Sequence, residues 1–168
     1  MLVYIFTTFT FYFNLDPFIE NRYCDDALQT ACLKGASQIF SYLIEKLNYS
    51  KKRIAEAYEL LGSTYLDEHF DLRLTIDYWR KALEIRNEAG IAKNTSKPPN
   101  PAYTNAVEFT NIDELNLVSN DLDAMRMQSL LISERILGPM HKEMIYRLMY
   151  RGLFMFLHAI SVYLTTCD

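Results

Sequence analysis

Residues 50–89 read SKKRIAEAYELLGSTYLDEHFDLRLTIDYWRKALEIRNEA, and their apolar side chains recur at the spacing of an α-helix on both sides of a polar turn. One apolar stripe of the first half comprises Ile54, Ala57, Tyr58, Leu61 and Tyr65. The turn at 67–71 separates it from a second helix, which is apolar on two sides. We therefore predict two packed antiparallel helices whose uncovered faces require neighbouring helices.

The same stretch carries the motif of a tetratricopeptide repeat, a helix pair whose motif positions serve packing. The motif residues are Tyr58, Leu61, Gly62 and Tyr65 in the first helix and Trp79 and Ala82 in the second. Gly62 has no side chain and should let the second helix approach closely. We interpret Trp79 and the tyrosines as core residues and not as an aromatic ligand cage. Ser50 and Asp71 are expected to cap the two helices.

The preceding segment, residues 24–49, predicts a degenerate ankyrin-like helix pair. Its small and apolar residues are spaced as in such a pair at Leu28, Ala31, Gly35, Ile39 and Leu43. The turn that normally opens an ankyrin repeat is missing, so any amphipathic helical hairpin explains the pattern as well. Either structure would cover one face of the central repeat.

Residues 50–152 form the predicted tetratricopeptide-like region, which resumes after a proline-rich loop at 94–101. We expect a short helix over residues 103–109, another opened by Asn111, and a longer helix opened by Asn120. The longer helix carries two apolar faces, so it should lie between layers. It should end at Gly138 and Pro139, a glycine cap followed by a helix-stopping proline.

Two polar residues near the end of this helix invite a functional interpretation. Glu134 lies within an apolar face, so its carboxylate needs a partner, and Arg126 and Arg135 are near in sequence. A structural ion pair or a solvated edge is favoured over a ligand-binding role of Glu134 or Arg126. His141 lies in the turn that follows and is interpreted as a capping or turn residue, not as a catalytic base.

Composition excludes several classes of function. The chain has 168 residues, half of them apolar, and a formal net charge of −4 with no basic run, so nucleic acid is not an expected partner. The three cysteines and three histidines lack zinc-site spacing, and no phosphate loop or catalytic triad is present. We therefore predict no catalytic residue, no metal and no cofactor. Reduced cysteines are typical of a cytoplasmic or nuclear protein.

The two ends differ from the region between them. Residues 1–23 and 153–168 are rich in apolar side chains and lack the repeat pattern, and we interpret both as tails. A further functional hypothesis is a membrane anchor at 152–166. We rank it third, because this stretch is shorter than the about 20 residues that span a bilayer.

Six blocks in the chain resemble the feminisation-protein (fem-1) family. They are AYELLGST at 57–64, YWRKA at 78–82, SKP at 96–98, MRMQ at 125–128, ERILGP at 134–139 and YRG at 150–152. They correspond to the tetratricopeptide-like middle of that family and the edge of its ankyrin array. The scaffold positions carried over are Tyr58, Leu61, Gly62, Trp79, Gly138 and Gly152.

The resemblance implies an all-α solenoid that performs no chemistry and belongs to the substrate receptors of cullin-RING ubiquitin ligases. In the family, ankyrin repeats bind the C-terminal tails of substrates, and a C-terminal box recruits elongin and the cullin. We find neither part in this sequence, so no partner-binding residue is carried over. We expect the two tails to come from an alternative exon or an incomplete gene model.

A second functional hypothesis is a general tetratricopeptide adaptor or co-chaperone that holds an extended peptide in its concave face. Such a protein needs basic side chains along the groove. Lys51, Lys52 and Arg53 form the only obvious basic group in the sequence, and a short charged group of this kind is usually solvated.

Overall fold

The computed structural model describes residues 20, 25–94 and 101–166, and all secondary structure in these ranges is helical. The helices are α1 (Ala27–Leu33), α2 (Ser37–Lys46), α3 (Lys51–Thr64), α4 (Leu72–Ala89), α5 (Ile112–Val118), α6 (Leu122–Leu137) and α7 (Lys142–Thr166). A π-helical turn at Tyr65–His69 follows α3, and a 3-10 turn covers Pro101–Tyr103. The predicted all-α fold of stacked helical hairpins is confirmed.

Helices α1 and α2 form a hairpin that packs on α3. Its turn passes through Gly35 at a φ of 60°, a left-handed conformation that glycine adopts without strain. A Cβ added at Gly35 would lie 2.3 Å from Nε2 of His69, so this imidazole covers the turn although the residue as a whole is exposed. The core between the hairpin and α3 includes Leu28, Phe40 and Leu61.

Helices α3 and α4 form the central pair and share the most extensive contact in the fold. Ser50 accepts a hydrogen bond from the Arg53 amide, and Asp71 accepts one from the Leu74 amide. Both predicted caps are confirmed. Between the helices, the chain makes one π-helical turn and then places Phe70 at a φ of 56°, where a plain loop had been expected.

Helix α6 lies between two layers, as its two apolar faces predict. Met125 and Ile132 pack with Trp79 in the core beside α4. On the opposite face, Met127 and Leu130 pack with Tyr103 of the 3-10 turn and with Met144 of α7. The helix ends at Leu137, and Gly138 follows at a φ of 86°, so the predicted end is confirmed.

The predicted helix over residues 103–109 is wrong. Thr104 and Asn105 have φ values of 52° and 56°, and two consecutive left-handed residues stop a right-handed helix. Beyond them the side chain of Gln128 accepts a hydrogen bond from the Phe109 amide and donates one to the Val107 carbonyl. These bonds from α6 replace the ones that a local helix would have made.

The predicted N-terminal cap of α5 is confirmed, whereas that of α6 is wrong by one residue. Asn111 caps α5 by accepting a hydrogen bond from the Glu114 amide, as expected. The cap of α6 is Asp121, which bonds to the Asp123 amide, and not Asn120. The side-chain amide of Asn120 donates instead to the backbone carbonyl of Asn116 at the end of α5.

The structure describes most of the predicted C-terminal tail but little of the predicted N-terminal tail. Residues 1–19 and 21–24 lie outside the described residues, and so do 167 and 168. At the other end, α7 runs without interruption through Gly152 to Thr166. Within the part of the chain that the structure describes, no helix combines the length and the apolar content that crossing a bilayer requires.

Candidate functional site

The indole of Trp79 lies directly against the backbone of Gly62. A Cβ at position 62 would be 2.7 Å from Cδ1 of Trp79 and 3.1 Å from the carbonyl oxygen of Thr75. Trp79 is fully buried, and its Nε1 donates a hydrogen bond of 3.1 Å to the carbonyl oxygen of Glu59. The glycine is therefore required by the approach of α4 to α3.

The side chain of Glu59 is completely buried and paired with cations. Nε of Arg86 lies 2.8 Å from Oε1, and Nη2 of Arg86 lies 3.0 Å from Oε2, a two-pronged contact from α4. Arg135 on α6 donates to Oε2 over 2.6 Å. The carboxylate therefore joins three helices at one point.

Glu108 is a second acid in the same interior. Arg135 donates to it through Nε at 2.9 Å and Nη2 at 2.8 Å. Nζ of Lys93 lies 3.0 Å from Oε1 of Glu108, 3.4 Å from Oε1 of Glu59 and 3.8 Å from the centre of the Phe109 ring. We call Glu59, Arg86, Lys93, Glu108 and Arg135 the buried ion cluster.

The electrostatics of this cluster favour charged side chains. Burial alone would raise the pKa of Glu59, but Lys93, Arg135 and Arg86 oppose burial and lower that pKa to about 2. Burial alone would lower the pKa of Arg135, but Glu108 and Glu59 raise it above its ordinary value. With its charges mutually paired and withdrawn from solvent, the cluster is suited to hold helices together and not to transfer protons.

A second polar network attaches the π-helical turn to α7. Arg147 on α7 forms an ion pair with Asp67 and donates to Oγ1 of Thr64 over 2.9 Å. Ser129 on α6 donates to Asp67 over 2.6 Å. Burial raises the pKa of Asp67, although Arg147 and Ser129 act in the opposite direction.

Beside this network, a groove of about 840 Å³ runs between residues 66–70 and the first half of α7. We call it the α7 groove. It is lined by Lys34, Leu66, Asp67, Glu68, Phe70, Arg126, Leu130, Lys142, Glu143, Tyr146, Arg147, Tyr150 and Arg151. Charged and aromatic side chains therefore meet in one concave surface of the described residues.

The motif residues of the central repeat lie together, whereas the later ones do not join them. Tyr58 packs edge-on against Phe40 with ring centres 4.8 Å apart, and Tyr65 packs against Tyr78 at 5.2 Å. Leu61 and Ala82 are fully buried. In contrast, Gly138 and Pro139 form the turn between α6 and α7, and Gly152 lies on α7, where a Cβ would meet no atom within 4 Å.

One partner of Glu134 lies far from it in the sequence. Tyr103 forms a hydrogen bond with it, and the pKa of Tyr103 is raised first by burial and then by this carboxylate. Arg135 instead enters the buried ion cluster. His141 accepts a hydrogen bond from the Glu143 amide at the start of α7, which confirms its capping role, and its Nε2 lies 3.0 Å from Asp25.

Comparison with known proteins places the helical region in a family. No family model matches the chain. Fem-1 homolog A of Danio rerio is 40% identical over 129 residues, which cover 74% of this chain and 21% of the relative. Fem-1 homolog A of Homo sapiens is 43% identical over 105 residues, covering 61% of this chain and 16% of the relative. The matched region belongs to the fem-1 family.

A third fem-1 relative gives the same result. Fem-1 homolog C of Xenopus laevis is 38% identical over 130 residues, covering 74% of this chain and 21% of the relative. The family resemblance inferred from the six sequence blocks is confirmed. The chain spans about a fifth of the length of these fem-1 homologues.

The sequence motifs of this fem-1 region did not reveal the buried ion cluster. One signal was present: Glu59 lies four residues after Ala55 and three before Gly62, on a stripe of small side chains that faces α4. Its partners Arg86 and Arg135 are 27 and 76 residues away, so no local pattern connects them. Within the described residues, no group of three or more acidic, histidine or cysteine side chains is placed to hold a metal ion.

Proposed function

We propose that this chain is a non-catalytic protein-binding scaffold and a fragment of a substrate-recognition subunit of a cullin-RING ubiquitin ligase. The supporting observation is its similarity to fem-1 homologues over 74% of its residues, in a stack of paired helices. A stack of this kind offers extended surfaces for protein recognition. In such a subunit the region would hold the substrate-binding and ligase-binding parts in a fixed relation.

The proposed partners follow from this role. Substrate C-terminal tails would bind ankyrin repeats that precede the region in a longer protein, and elongin and the cullin would bind a box that follows it. The proposed location is the cytoplasm or nucleus, where such ligases act. The buried ion cluster supports a scaffold role because it fixes α3, α4 and α6 against one another through Glu59.

A chimera tests the proposal. In fem-1 homolog A of Danio rerio, the segment that matches this chain is replaced by the corresponding part of residues 25–152. The chimera should capture elongin, the cullin and a substrate-tail peptide that the unmodified relative captures. A matched chimera carrying Gly62→Leu should lose tail capture or expression, because leucine cannot fit against Trp79. A folded chimera that captures none of these partners would contradict the proposed role.

A further inference from the structure

We propose that the α7 groove is itself a binding site for a short extended peptide that carries acidic side chains on both sides of a large apolar residue. The proposal builds on the scaffold role, since it gives this region a recognition surface of its own. Its test uses the isolated chain and needs no ligase component. The two proposals can therefore fail independently.

The charge of the groove supports an acidic ligand. Five basic and three acidic side chains line it, although the whole chain has a formal net charge of −4. Two of the acids are paired with cations that also line the groove, Asp67 with Arg147 and Glu143 with Lys142 at 3.7 Å, so the groove keeps an excess of two lining cations. The groove is therefore a local positive region that would attract carboxylates.

Arg151 adds a more specific indication. Only 8% of this residue is exposed, and its Nε and Nη1 have no hydrogen-bond partner among the described residues. Its Nη2 is held by Asp123 on α6, so the guanidinium has a fixed orientation beside the groove. Unpaired buried donors carry a free-energy cost, and a ligand carboxylate that displaced the atoms covering them would remove it. Arginine is well suited to this task because its guanidinium can bind both carboxylate oxygens.

The apolar part of the groove favours a peptide over a small anion. Phe70, Tyr146 and Tyr150 line it with exposed fractions of 65%, 64% and 54%. Exposed aromatic side chains flanked by charges are typical of protein recognition sites. The volume of about 840 Å³ lies within the range of about 300–1,000 Å³ that is usual for ligand sites.

The geometry at Phe70 shows how the sequence builds this surface. The π-helical turn of Tyr65–His69 extends α3 past its regular end, and Phe70 then adopts a left-handed conformation with a φ of 56°. Such a conformation is uncommon for a bulky side chain. It leaves the ring exposed at the edge of the groove, where a ligand could cover it.

The test measures fluorescence anisotropy of the labelled peptide Asp-Glu-Phe-Asp-Glu with the complete 168-residue chain. Binding should be saturable, should weaken as salt is added, and should be lost with the amide-matched peptide Asn-Gln-Phe-Asn-Gln. Replacing the central Phe of the peptide with Ala should also weaken binding, since Tyr146 and Tyr150 would lose their apolar partner.

Variants locate the site. The double variant Lys34→Gln, Lys142→Gln should bind the acidic peptide about fivefold more weakly, the loss expected for two exposed charge contacts. The matched control Lys51→Gln, Lys52→Gln removes the same charge at the start of α3 and should bind normally. Both pairs are exposed, so the fold is preserved. Equal binding by the two double variants, or equal binding of the acidic and amide peptides, would overturn the proposal.

Discussion

Trp79 donates its indole N–H to the backbone carbonyl of Glu59 over 3.1 Å, while the side chain of Glu59 is held by Arg86 on the same helix as Trp79. Trp79 thus binds the backbone of Glu59, and Arg86 binds its buried carboxylate. The close packing at Gly62 and the charge pairing at Glu59 therefore lie within one turn of α3. Changes at this turn should therefore affect the stability of the entire central pair.

The first prediction concerns the close approach at Gly62. Gly62→Ala should lower the free energy of unfolding by about 1–3 kcal/mol, because the new Cβ would lie 2.7 Å from the Trp79 ring. Gly152→Ala is the matched control on α7. No atom lies within 4 Å of its Cβ position, so alanine should stabilise by about 0.5–1 kcal/mol through its helix propensity. Urea unfolding measures both, and equal effects of the two substitutions would contradict the packing role of Gly62.

The second prediction concerns the buried ion cluster. Glu59→Leu should destabilise the protein by about 3–5 kcal/mol, because Arg86, Lys93 and Arg135 would lose a shared buried partner. The control is Glu56→Gln on the same helix. Glu56 is 3.9 Å from Arg135 and more exposed, so its replacement should cost about 0.5 kcal/mol or less. Thermal unfolding that finds the two variants equally stable would show that the cluster adds no stability.

The contact between Gly62 and Trp79 could be predicted from the sequence, whereas the buried ion cluster could not. The helical spacing of Tyr58, Leu61 and Trp79, the small residue at position 62 and the cap at Ser50 are all local features, and each was predicted from neighbouring residues. The link from Glu59 to Arg135 spans 76 residues and depends on the final stacking of α3 and α6. Local propensity carries no information on such a pair.

The incorrect prediction for residues 103–109 has a similar cause. The segment has a composition compatible with a short helix, but Gln128 on α6 takes the hydrogen bonds of Val107 and Phe109. A tertiary contact overrides local preference in this case. The α7 groove could not be predicted either, since its lining residues come from three separated parts of the chain, around residues 34, 66–70 and 126–151.

The third prediction is a dependence of stability on pH. The pKa of Glu59 is lowered from 4.5 to about 2 in the folded protein, so its contribution to stability is complete above about pH 4.5 and is lost as the pH falls towards 2. The difference in unfolding free energy between the wild-type protein and Glu59→Gln should therefore shrink over this interval. Urea titrations at a series of pH values measure it. A difference that stays constant down to pH 2 would contradict the assigned charge state.

The fourth prediction concerns the attachment of α7. Asp67→Asn should increase amide hydrogen exchange at 142–152 by about tenfold, because Arg147 would lose its counter-charge at the π-helical turn. Exchange in α3 should change much less. Glu68→Gln, at the adjacent exposed position, removes the same charge and serves as the control. If both variants exchange alike, the pair between Asp67 and Arg147 does not hold α7 in place.

The central claim is that the repeat motif folds as a closely packed pair of helices around Trp79, the single tryptophan of the chain. Its fluorescence therefore reports this contact without labelling. Because Trp79 is fully buried, its emission in native buffer should be blue-shifted relative to the chain in concentrated urea, and acrylamide should quench it weakly. A native emission spectrum and quenching equal to those of the unfolded chain would contradict the packed pair.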